Sequence, residues 1–148
     1  MTTYRSLTVA GALATIVMAA FVATQLYAQD APEVRADLRN AAAAEVRDAQ
    51  GIVLLKGEFV AVDEDDDDVE RKAALKATPS SGGASGEAEV EFPKTGVVEQ
   101  EVEFSAKGLT RGAKYSFVID GKVIGTAPSR NDGSIELELK IKLPAGVR

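Results

Sequence analysis

Along much of this chain polar and apolar residues alternate one for one. The clearest stretch is SIELELKIKL, residues 134–143: Ile135, Leu137, Leu139, Ile141 and Leu143 share one parity, and Glu136, Glu138, Lys140 and Lys142 the other. A period of two is the spacing of a half-buried strand. GEAEVEF repeats it, with Ala88, Val90 and Phe92 against Glu87, Glu89 and Glu91, and Pro93 as its stop. VVEQEVEFSA does so again, which predicts Val98, Val102, Phe104 and Ala106 inside and Glu99, Glu101 and Glu103 outside. AKYSFVI and KVIGTAPS flank Asp120-Gly121, a two-residue hairpin signal, and a further turn falls at Arg130-Asn131-Asp132-Gly133. GIVLLKGEFVAV is apolar on both parities, as a strand buried on both faces would be, and RKAALKATPSS reads as one more strand before the flexible SSGGASG.

Two other patterns precede these strands. Residues 6–27 carry no charge and follow MTTYR, with Arg5 alone. A run of this kind predicts a signal peptide or membrane anchor over residues 1–28. Arg5 on one side and Asp30 and Glu33 on the other orient the body outward, periplasmic or secreted, or anchored in the membrane by residues 6–27. Residues 29–50 then read as a helical spacer. Asp30 is its N-cap, Pro32 lies in its first turn, Gly51 is its stop, and Val34, Leu38, Ala42 and Val46 recur every four positions.

The expected fold is therefore all-β: a seven-stranded antiparallel sandwich over residues 51–148, preceded by a signal or anchor helix and a short helix. The two glutamate-faced strands raise a wiring question. Were they a hairpin with both apolar faces inward, every allowed register would set glutamate opposite glutamate, which destabilises by several tenths of a kcal/mol per pair. An odd register would turn the apolar set outward. Two escapes exist: an arch that places the two strands in different sheets, which is the expectation, or an acidic face neutralised by lysines or bound cations.

Leu109, Gly112 and Tyr115 in GLTRGAKYSFVI follow an L-x-x-G-x-x-Y spacing. This resembles the stretch opening the sixth strand of fibronectin type III and related immunoglobulin-like domains. The resemblance implies a sandwich fold and a structural tyrosine corner, in which the Tyr115 hydroxyl bonds backbone a few residues upstream. It implies no activity. The chain departs from that family in having no tryptophan and in adding a strand after the hairpin. The order Asp120-Gly121, Gly125-Thr126, Gly133 also looks like exported bacterial immunoglobulin-like or transthyretin-like modules.

Composition narrows the chemistry. With no histidine and no cysteine, imidazole and thiolate catalysis, zinc sites built on imidazole or thiolate, and disulfides are all out of reach. The exported body must stand on its own core. A net charge of -6 makes nucleic acid a poor partner and a basic protein or a cation a compatible one. The acidic run offers one candidate metal site, Asp63, Asp65, Asp67, Asp68 and Glu70, whose ligands suit calcium. Its EF-hand alignment fails at Asp68 and Ala74, so a plain solvated loop is the competing reading. A hydrolase would need two carboxylates about 5–10 Å apart in a cleft, one of them shielded from water. The expected protein is not an enzyme, and no cofactor beyond calcium is anticipated.

Overall fold

The computed structural model describes residues 34–62 and 68–147, so the leader and Asp63, Asp65 and Asp67 lie outside the described residues. Nine strands form: β1 Ala43–Arg47, β2 Val53–Glu58, β3 Val60–Val62, β4 Asp68–Ala77, β5 Ser85–Pro93, β6 Glu99–Lys107, β7 Lys114–Ile119, β8 Lys122–Pro128 and β9 Ile135–Lys142. They pair antiparallel along one path, β8-β7-β1-β2-β4-β5-β6-β9, with β3 also on β4. The compact unit spans Ala31–Arg148.

This single ladder folds over on itself and is nearly barrel-like. Phe104 on β6 meets Phe117 on β7 across the core, with ring centroids 5.0 Å apart and planes at 60°. The terminal strands β8 and β9 face one another without pairing. A Cβ at Gly125 of β8 would stand 2.9 Å from the side chains of Leu137 and Leu139, so that close approach needs a bare backbone. The core is made by the alternating residues: Val46, Leu55, Ala88, Val90, Val102, Phe104, Phe117, Ile124 and Ile135 are all essentially inaccessible.

Four sequence-based expectations need correction. The seven-stranded, two-sheet sandwich is nine strands on one ladder. GIVLLKGEFVAV breaks at Phe59, whose N–H donates to Ala42 O at 2.9 Å. Its two halves, β2 and β3, both pair with the long β4, which keeps the sheet continuous.

The helical spacer is also overturned, since no helix occurs among the described residues and Ala43–Arg47 is a strand lying between β2 and β7. A repeat of four is twice the strand period of 2 and close to the 3.6 of a helical turn, so Val34, Leu38 and Val46 fit either element. The alanine run favours a helix weakly, and ladders on both flanks outweigh that preference.

The predicted arch is a hairpin. β5 pairs β6 with Val90 opposite Val102, Glu89 opposite Glu103 and Glu91 opposite Glu101. The crossovers lie between β6 and β7 and between β8 and β9. Finally, Val98 is 75% exposed, and Gln100 takes the fully buried inward position instead.

Candidate functional site

The hairpin register creates the most unusual surface of the protein. On the outer face of the β4-β5-β6-β9 half, one cross-strand row reads Lys72, Glu89, Glu103, Glu138, and the next reads Glu70, Glu91, Glu101, Lys140. The sequence made these residues outward-facing, and only the pairing brought them side by side. Carboxylate oxygens of Glu101, Glu103 and Glu138 approach within 4.8 Å of one another.

Glu70 is the most enclosed member, with its residue 8% exposed. Lys72 Nζ holds it at 2.5 Å and reaches Glu89 at 3.7 Å. Burial pushes the Glu89 carboxyl up to about 7, helped by a hydrogen bond and repulsion from Glu70 and opposed by Lys72. Glu101 is raised in turn, by burial and then by Glu138, with Lys140 opposing. A shallow depression of about 110 Å³ adjoins this face, bounded by Asp68, Glu91, Phe92 and Glu101. It is well below the ~300 Å³ at which ligand pockets begin.

This arrangement has a pH signature. Glu89 binds its proton more tightly in the folded chain than its ordinary 4.5, so stability is fullest below that value and is lost as pH rises towards about 7. The groups that face it are Glu70 and Lys72 from β4 and Glu103 from β6, with Glu87 and Glu91 beside it on β5. The expected melting temperature falls between pH 4.5 and 7.5, and Glu89→Gln flattens the profile while raising stability at pH 8. A wild-type profile that climbs over that interval contradicts the assignment.

Of the predicted metal residues, the structure describes two. Asp68 is exposed at the start of β4, and Glu70 is turned to Lys72. The predicted corner residues do come together. Tyr115 OH accepts from Thr110 N at 2.9 Å and donates to Thr110 O at 3.2 Å, five residues upstream. Ser129 Oγ donates to the same carbonyl at 2.6 Å, so this corner ties the β6–β7 crossover to the end of β8. Leu109 is buried there, and Gly112 takes the left-handed φ of 68° in the turn. A groove of about 490 Å³ opens beside the corner, lined by Asp48, Gln50, Leu54, Ser80, Lys114 and Tyr115 among others.

At the opposite end, sequence reasoning missed Gln100. Its Oε1 accepts from Leu38 N at 2.7 Å and its Nε2 donates to Ala36 O at 2.8 Å. The Asp120 carboxylate holds the same segment, accepting from Ala42 N and Ala43 N. Residues 34–42 are thus a strap across that end of the fold. The signal was present: Gln100 is the one polar residue on the inward parity of β6. Comparison with protein-family models, curated proteins and solved structures finds no match.

Proposed function

We propose that this protein is an exported, non-enzymatic β domain acting outside the cytosol as a structural or binding module. The uncharged run 6–27 behind Arg5 is the observation that carries this reading. The missing histidine and cysteine support a binding role over turnover. So does the placing of the carboxylates, which lie on an open sheet face instead of in a cleft. That face is complementary to a basic protein or a cation. The resemblance to immunoglobulin-like modules rests on the Tyr115 corner and on the turn order Asp120-Gly121, Gly125-Thr126, Gly133.

The test is fractionation of cells expressing the tagged full chain, with the mass of the mature N-terminus measured. The expected product lies outside the cytosol, either beginning after Ala28 or intact in the membrane. Intact, soluble chain in the cytoplasm overturns the proposal.

A further inference from the structure

β9 ends the hydrogen-bonded path, and the backbone bonds on its outer side among the described residues are those at Lys142. Arg35 bridges Lys142 there in parallel, and Ala36 N donates to Lys142 O at 3.2 Å. Backbone direction alternates along a strand, so the amides and carbonyls of Glu136, Glu138 and Lys140 point the same way as those of Lys142. Among the described residues no strand pairs with them.

Exposed edges are ordinarily blunted by shortness, proline or a bulge. β3 has three residues, and β8 carries Pro128 and a register break against β7. β9 is eight residues long without proline or bulge, its register with β6 running unbroken from Ile135 to Lys142, and its defences are its charged side chains and the strap at Lys142. Leu137 and Leu139 on its inner face are only partly buried.

We propose that β9 is a pairing edge for a second copy of this chain, and that residues 34–36 guard it. The charge pattern argues for a self-partner. Laid antiparallel on itself about a two-fold axis at Leu139, the strand sets Glu138 opposite Lys140 of the second copy, and Glu136 opposite Lys142. Moving the axis to Glu138 sets glutamate on glutamate there, and moving it to Lys140 sets lysine on lysine. One register therefore satisfies a closed dimer, in which each surface must complement itself.

Glu138 has particular need of an outside cation. Its own sheet places Glu103 directly opposite and Glu101 close by. The cations already near this strand sit in exposed pairs, Lys140 with Glu99 at 3.7 Å and Arg130 with Glu136 at 2.7 Å, which exchange readily.

The guard follows from the same register. Arg35 and Ala36 lie against Lys142, where Glu136 of the second copy would pair, and the symmetry repeats this block at both ends of the interface. Gln100 locks the segment through Ala36 O and Leu38 N, and Lys122 Nζ donates to Arg35 O. While those bonds hold, the protein stays a monomer. When they release, the whole edge opens.

The experiment measures the mass of the full chain in mild detergent by analytical ultracentrifugation. Wild type is expected to be monomeric, whereas Gln100→Ala and, independently, Ala36→Pro tighten self-association by about tenfold or more. Adding E138K to either variant returns it to a monomer, and E138K with K140E restores the dimer. That rescue separates strand pairing from association through residues 6–27. A folded strap variant that remains monomeric, or a dimer indifferent to E138K, overturns the proposal. Loss of the strand circular dichroism signal in both strap variants overturns it too, because the segment would then belong to the folding core.

Discussion

Replacing Phe104 with alanine is expected to lower the unfolding free energy by about 3–5 kcal/mol, the range for an aromatic removed from a packed core. Phe104 is 2% exposed, and its ring meets Phe117 of the other half of the sheet at 5.0 Å. Its cross-strand neighbours are Ala88 on β5 and Leu137 on β9. Neither can fill the space, since alanine is short and Leu137 is already pressed against Gly125. With no disulfide to hold the two halves together, the loss falls wholly on packing. Urea unfolding reads it as a lower midpoint with an unchanged slope. A cost below about 1.5 kcal/mol, typical of volume-conserving core changes, would show that the halves repack without the ring.

Gly133→Ala is the second large effect, expected at about 2–3 kcal/mol from backbone strain and overlap together. Gly133 sits at φ 79°, and a Cβ there would lie 2.5 Å from Leu109 O. That contact joins the two crossovers: Leu109 N donates to Gly133 O at 3.1 Å, while Arg130 N donates to Ser134 O at 2.7 Å. Gly112→Ala is the control, because its φ is 68° but nothing stands within 4 Å of the new Cβ. It carries the conformational penalty alone, about 1 kcal/mol. Thermal melts of the two variants should differ by the overlap at Leu109. Equal melting temperatures would mean the crossovers move apart freely.

The strands that alternate cleanly were legible because a period of two is a local property. Glu89, Glu103 and Glu138 were outward in the sequence and are outward in the structure. Their mutual opposition was not legible, because it depends on which strands pair. The parity argument identified the electrostatic cost correctly and then ranked it too high. Burying Val90, Phe92, Val102 and Phe104 gives about 1.5–3 kcal/mol each, against several tenths for each opposed glutamate pair. An arch between facing sheets would bury the same four, and the hairpin stands because a lysine ends each glutamate row, Lys72 beside Glu89 and Lys140 opposite Glu101.

Residues 34–50 show the other limit. Their repeat of four satisfies helix and strand alike, and alanine leans to helix. What decides is outside the segment: β2 and β7 offer ladders to both edges of Ala43–Arg47, and Gln100 and Asp120 offer partners to the backbone before it. The strap and its locks come from positions up to 87 residues away in sequence.

The Tyr115 corner was implied by the family resemblance; by itself, then, the sequence determined an all-β body, the inward and outward sets of its regular strands and the Asp120-Gly121 hairpin. Each of these follows from neighbouring residues, whose side-chain directions and turn geometry are set within a few bonds. Tertiary structure alone decided the single folded-over ladder, the acidic rows, the strap and the open edge of β9. Those depend on pairings between distant segments, where burial of a shared core outranks helix propensity and lysines offset like-charge repulsion.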